Sequence, residues 1–400
     1  MGITTSISPG TVIRGGVFIL SLMLIMLSYR KLPMKWGFLL FALLILPIPG
    51  IIISIADNPS LATIFLEFQT ISKILFGPVM ILLFVFIIEK WNVSADIVMK
   101  YIEYSFYLLG ISLLLMQLLD IGEKTYGDFA SGSKGIFGPQ NDISLSLGLA
   151  MVASVYRNIV RFGVARFILM VFSIFGFVGI GTRTSLILII VMPVTVVIML
   201  LFSRSEQWKQ HHRIRLLILI APLFMLVMLY AGYYTYQQIS QYNYQVAKYE
   251  KLSSGTHPRE DLLDLGWKHL DYRDMALNVF GVGATNYRQD IYKYFDAEKE
   301  HKKRTVEVDW MDLLGQYGLL FTILIHAVAL AILARAIWYW SKHRDPIFGL
   351  GAISIGIYLG HSALAGHALT SPITSGLVSV TCAVLLAGQK RVALDPVGVV

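Results

Sequence analysis

The sequence predicts an all-α polytopic membrane protein of about eleven transmembrane helices with one long extracytoplasmic helical loop, and three observations carry that prediction. Of 400 residues, 56% are hydrophobic and only 14% are charged, so a soluble core could not keep runs such as Phe167–Gly181 from water. The apolar runs recur at the length that crosses a bilayer, roughly 20 residues. A single long polar stretch, 233–309, interrupts them and holds about half of the acidic residues.

Taken in order, the first spans fall near 11–28, 36–55, 71–88 and 101–119, and the next near 142–156, 165–181, 184–202 and 214–232. The last fall near 310–336, 347–361 and 372–388. The chain therefore reads as transmembrane helices 1–8 over 1–232, a helical loop over 233–309, and helices 9–11 with a short cytoplasmic tail over 310–400. The run Val12–Leu27 is followed by no small-residue cleavage pattern, so it reads as a first span rather than a signal peptide. Pro47, Pro49 and Pro193 interrupt backbone hydrogen bonding and should face the bundle, where neighbouring protein can satisfy it. The lone Cys382 lies in an apolar run, which excludes disulfide frameworks and cysteine metal sites.

Alternate connections differ sharply in basic residues. One set carries Arg30, Lys31, Lys35, Lys90, Lys100, Arg157, Arg161 and Arg166, then Arg204, Lys209, Arg213, Arg215, Arg335, Lys342, Arg344, Lys390 and Arg391. The other, outside the long loop, carries only Arg14, Lys73, Lys124, Lys134 and Arg183. The richer set is expected to be cytoplasmic. The net charge of +8 thus expresses orientation, and no nucleic-acid partner is implied. The N-terminus, the 120–141 loop, the Gly181–Thr184 turn and the long loop then share the opposite face.

Within the loop, Leu262, Leu263, Trp267, Leu270 and Met275 recur at helical spacing over 259–277, with Pro258 where a helix would begin. Gly281 and Gly283 mark a turn, and Asn286–Tyr294 suits a second short helix. The pattern is that of a small helical cap on the membrane surface.

Candidate functional residues gather on that same face. Arg183, in Gly179-Ile-Gly-Thr-Arg-Thr-Ser185, sits between two apolar runs with almost no loop. It is either an anion site furnished with small and hydroxyl neighbours, or an arginine snorkelling to headgroups. Arg259 opposes the dipole of the helix it opens, which suits a shared anion, although pairing with Glu260 or Asp264 explains it as well. Glu307, Asp309 and Asp312 arrive as the chain re-enters the membrane. Partial burial would fit Glu307 or Asp309 to accept a proton, while a dipole-stabilised helix start fits the same residues. Asn141 is a polar side chain at a helix mouth or an N-cap. His367 is a membrane-edge histidine with a structural or a substrate-binding role, and Arg288 is a candidate for a second-rank phosphate contact. The tyrosines of 233–249 suit sugar stacking or an interfacial aromatic belt. There is no Gly-rich phosphate loop followed by Lys, so a substrate would arrive activated and lipid-borne.

On these marks the chain resembles the bacterial O-antigen ligase and polymerase superfamily. They are Gly138-x-x-Asn141 before a span, Arg183 in a Thr-Arg-Thr-Ser turn, and Arg259 and Gly281-x-Gly283 in a long loop, with Gly318 beyond Glu307. The resemblance implies a glycosyltransferase of C-type architecture in the bacterial inner membrane, working on the periplasmic face without cofactor, metal or nucleotide sugar. It implies a glycan on undecaprenyl pyrophosphate as donor and a second lipid-linked glycan as acceptor, with Arg183 and Arg259 holding the pyrophosphate. A chain-length regulator and a flippase are the further partners it suggests, besides the bilayer. Ligases place a histidine followed by Asn or Ser where this chain has Glu307-Val308, which favours the polymerase branch. The alternatives are an O-antigen ligase acting on the lipid A core and a transporter of lipid-linked sugars.

Overall fold

The computed structural model describes residues 9–28, 34–125, 132–137, 139–202, 258–294, 306, 308–364 and 366–394. Its helices are α1 (Pro9–Leu27), α2 (Met34–Ile45), α3 (Ile48–Asp57), α4 (Leu61–Lys90) and α5 (Ala95–Leu118), then α6 (Gln140–Val160), α7 (Val164–Val178) and α8 (Arg183–Leu201). After the long loop's first part come α9 (Pro258–Asp271), α10 (Met275–Phe280), α11 (Gly283–Tyr294), α12 (Asp309–His343), α13 (Pro346–Leu364) and α14 (Pro372–Leu394). A short antiparallel hairpin, β1 (Glu123–Lys124) and β2 (Ser133–Gly135), joins α5 to α6. Among the described residues, 8 helices are long and apolar enough to cross a membrane, and Val164–Val178 and Pro372–Ala387 are apolar but shorter. The expected span at 214–232 and the tyrosine tract of 233–249 lie outside the described residues.

The chain divides into two compact units. The first comprises Met1–Trp91, Thr256–Ile332 and Ile357–Ala383, and the second Asn92–Gly255, Leu333–Gly356 and Val384–Val400.

In the first unit the expected span at 36–55 is one apolar crossing, Trp36–Asp57, broken into α2 and α3. The chain breaks at Leu46-Pro47 because neither Pro47 nor Pro49 can donate a backbone hydrogen bond, and α3 restarts with a proline inside its first turn. Pro47 is buried, as a backbone gap in a membrane helix requires. Helix α4 begins at Ser60, whose hydroxyl accepts the Thr63 N–H at 3.1 Å.

The amphipathic helix expected over 259–277 is also two helices. Helix α9 stops at Asp271, and Asn278 reaches back to donate to the freed Leu270 carbonyl at 3.0 Å. Leu262, Gly266 and Leu270 form the buried face of α9, while Trp267 and Met275 are exposed. The side chains of Leu262, Leu270, Val282, Tyr287, Ile291, Val306, Val308 and Met311 make one core. The loop helices therefore fold onto the start of α12 rather than standing apart from it.

Three glycines make that packing possible. Gly281, Gly283 and Gly318 all have positive φ, and Gly318 interrupts α12. A Cβ on Gly318 would lie 2.3 Å from the Val279 carbonyl oxygen, and one on Gly281 2.3 Å from that of Gln316. Two backbones cross there at a separation only glycine permits.

In the second unit α5 and α7 meet just as closely: a Cβ on Gly110 would lie 2.6 Å from that of Ser173. Helix α6 is buried on nearly every face, so it is the unit's central helix.

Candidate active site

The start of α12 is built around two aspartates. Asp309, 1% exposed, accepts the His367 N–H at 2.8 Å through Oδ1. Its Oδ2 accepts the Leu369 N–H at 2.9 Å and the Ser362 hydroxyl at 2.8 Å. Ser362 is in the last turn of α13, and His367 and Leu369 lie on the turn between α13 and α14, where Gly366 and His367 both have positive φ. Glycine takes that conformation freely and histidine does so at a cost. Asp309 holds the turn in it, with the His367 side chain exposed.

Asp312, one turn on, performs the matching task upstream. Its Oδ1 accepts the Val306 N–H at 3.0 Å and the Tyr287 hydroxyl at 3.1 Å. Burial, reinforced by the Asp312 carboxylate, pushes the Tyr287 hydroxyl well above its ordinary range, so it remains a donor. Val306 and Val308 are 0% and 1% exposed, which fixes the chain on either side of position 307. Glu307 itself lies outside the described residues.

Beside this stands a carboxylate that the sequence reading passes over. Glu67, 1% exposed on α4, accepts the Ser54 hydroxyl at 2.6 Å and the Thr285 N–H at 2.8 Å, and takes a longer contact of 3.3 Å from the Tyr317 hydroxyl. An expected span beginning at 71 leaves Glu67 in a loop. The helix begins at Leu61, and a glutamate within so apolar a helix is the signal that could have found it. Arg288 lies one turn beyond Thr285 on α11 and is half-buried, and its Nε is buried without a hydrogen-bond partner. At the outer end of α11, Asn286 donates to Asp57 at 2.7 Å and accepts from Asn58 at 2.6 Å.

Arg259 is the second residue of α9, in the first turn as its sequence context implies. Thus Arg259, Arg288, Asp309 and His367 belong to the first unit.

Asn141 and Arg183 belong to the second unit, where the structure brings their turns together. Thr182 caps α8 by accepting the Ser185 N–H at 3.0 Å, and its hydroxyl lies 2.7 Å from that of Ser144, one turn into α6. The turn before Arg183 is pinned further by Thr125, which donates to the Ile180 carbonyl at 2.6 Å. Gln117 donates to the Gly176 carbonyl at 3.0 Å. Two helix N-termini consequently lie side by side, each carrying positive dipole ends suited to an anion. The N-cap of α6 is Pro139, so Asn141 sits inside the first turn and does not cap it. Gly138 lies outside the described residues. Among the described residues, no group of three or more His, Cys, Asp or Glu is arranged to hold a metal ion.

Apolar helices long enough to cross a membrane, with buried carboxylates among them and an arginine whose Nε has no hydrogen-bond partner, define a polytopic membrane protein. The O-antigen ligase like membrane protein family matches residues 1–261, well over half of the chain. The chain belongs to that family, and so is a membrane glycan-processing enzyme of the ligase and polymerase superfamily. The match takes in Asn141, Arg183 and Arg259 and ends before Arg288, Glu307, Asp309 and His367. No curated protein matches the chain.

Proposed function

We propose that this protein is the polymerase of undecaprenyl-pyrophosphate-linked oligosaccharide repeats, working on the periplasmic face of the inner membrane. The acceptor sugar hydroxyl attacks the anomeric carbon of the donor glycan, with inversion. The bond from that carbon to the phosphate oxygen breaks and lipid pyrophosphate leaves. Arg183, Arg259 and Arg288 neutralise the departing phosphates through charge-assisted hydrogen bonds. Glu307 takes the hydroxyl proton. Asp309 is the less suitable base, because both its oxygens already accept buried donors, and its part is to hold the turn carrying His367. Asn141 and His367 contact the glycans.

The observation that carries the reading is Glu307 at the position where ligases keep a histidine, in a segment whose flanking Val306 and Val308 are fixed by burial and by Asp312. A carboxylate base suits removal of a proton from a sugar hydroxyl.

The test is turnover of purified protein given a lipid-linked repeat unit and no nucleotide sugar. Polymer should form, and Glu307→Gln should lower the rate by about 10²–10⁴-fold, the usual worth of a general base. Unchanged polymer from that variant removes the base assignment. In cells lacking the protein, single lipid-linked repeats should accumulate. Long lipid-linked chains that never reach a lipid A core would identify a ligase instead.

A further inference from the structure

Glu67 has no part in the reaction just described, yet it is a carboxylate buried in a membrane helix, where such groups are costly and are kept for a purpose. Its acceptors are filled by donors from three other elements. Ser54 comes from α3, Thr285 N–H from the first turn of α11, and Tyr317 from α12 immediately before the interruption at Gly318. The Thr285 contact matters most. It places a negative side chain on the N-terminal turn of α11, where the helix dipole favours it, and so fixes where that helix begins.

The surroundings reinforce this. Gly283, at the head of α11, packs its backbone on Gly50 and Ser54 of α3: a Cβ there would lie 2.3 Å from that of Ser54. The helix start therefore has no freedom to shift along α3 while Glu67 holds Thr285. On the same face of α11, one turn apart, stand two groups with unused hydrogen-bonding capacity. The Thr285 hydroxyl and Arg288 Nε are both buried with no partner, whereas buried polar groups are ordinarily satisfied. A hydroxyl and a guanidinium one turn apart on a helix are donors of the kind that phosphoryl oxygens accept.

We propose that Glu67 is a positioning residue for a phosphoryl-binding face of α11, acting through Thr285 to hold Arg288 where it takes an oxygen of the donor's pyrophosphate. The inference rests on the reading of Arg288 as a phosphate contact. Glu67 touches no substrate. It supplies the fixed start of the helix.

The experiment measures binding of farnesyl pyrophosphate to the full-length protein in nanodiscs, together with KM and kcat on a lipid-linked repeat. Arg288→Ala should weaken binding about tenfold, the loss of one charge-assisted contact. Glu67→Ala should weaken binding and lower kcat/KM to a similar extent, because the contact it positions serves the departing pyrophosphate as well as the bound one. In the double variant the two losses should not add, because residues acting through one another couple in a mutant cycle. Glu67→Gln keeps the shape and one acceptor oxygen, so it should restore most of the affinity. Glu67→Met, similar in length but without an acceptor, replaces the alanine variant if that fails to fold, and should lose affinity as alanine does. Wild-type binding by a folded Glu67→Ala or Glu67→Met protein overturns the inference while leaving the Arg288 assignment standing, and so do fully additive losses. Wild-type binding by Arg288→Ala removes the phosphate role of Arg288, and the inference with it.

Discussion

The carboxylate of Asp309 accepts the main-chain N–H of His367 at 2.8 Å across 58 residues of sequence. That bond fixes an exposed imidazole on a backbone that histidine seldom adopts, φ +64°. The strain persists because the Leu369 N–H and the Ser362 hydroxyl converge on the same carboxylate. Strained residues over-determined by their surroundings are characteristic of functional sites. Here the first residue of α12 sets the geometry of the turn between α13 and α14.

Asp309→Ala should therefore cost more than its small change in volume. Three donors lose their acceptor, and each buried group left unpaired is worth about 1–3 kcal/mol. A clear fall in the unfolding midpoint of the detergent-solubilised protein is the expected outcome. Asp309→Asn keeps one good acceptor and should fall between alanine and wild type. A midpoint unchanged in Asp309→Ala would show that the turn does not depend on this carboxylate.

Gly318→Ala and Gly281→Ala should each destabilise the protein, because both φ and space are used. At φ 80° and ψ 176°, a region essentially only glycine enters, a side chain costs on the order of 1–3 kcal/mol, and the added carbon would meet a carbonyl oxygen at 2.3 Å in either case. Gly356→Ala, in the middle of α13, meets nothing within 4 Å and should be neutral or better. Unfolding midpoints of the three variants, measured side by side, check the contrast.

The membrane helices were legible in the sequence because a bilayer demands apolar length, and the described helices agree with that reading. What escaped it were the interactions that polar groups make once the helices assemble. The run 142–156 carries Ser144, Ser146 and Ser154 and reads as a marginal span. It belongs to the most enclosed helix, whose serines bond to its own carbonyls and its neighbours. The motifs around Gly281, Gly283 and Gly318 were visible as marks, whereas the backbone crossing that explains them was not. Glu67 escaped because hydropathy begins its helix too late. Nothing in the sequence places the turns of Arg183 and Asn141 together, which the Ser144–Thr182 contact does. Arg157, counted only as a sign of orientation, has its partner Glu103 54 residues away.

That pair yields its own prediction. Arg157 and Glu103 are 5% and 0% exposed and meet at 2.9 Å, with Asp96, Arg161 and Arg166 around them. Glu103 also accepts the Tyr107 hydroxyl at 2.7 Å. Arg157→Met should destabilise the second unit by about 3–5 kcal/mol, since it leaves a buried carboxylate short of its counter-charge. Arg157→Met with Glu103→Leu should recover a large part of that loss, because an apolar pair needs no solvation. Expression yield and unfolding midpoint of the two single variants and the double complete the cycle. Losses that simply add would mean the charges do not depend on each other.

The last prediction concerns alkaline pH. Tyr287 donates to Asp312 from a buried position, and burial together with that carboxylate raises its pKa well above the usual value. A group whose folded pKa is raised contributes stability fully below its unfolded pKa, about 10 for tyrosine, and that stability is lost as pH rises through the folded value. The folded protein should thus weaken above about pH 10 relative to its plateau near neutrality, because the unfolded state then releases a proton the folded state retains. Tyr287→Phe removes the ionisable hydroxyl. It should lower the neutral plateau by roughly 1 kcal/mol, one lost hydrogen bond, and make the alkaline decline shallower. Midpoints of both proteins across the alkaline range test this directly, and two parallel curves would exclude Tyr287 as a source of the slope.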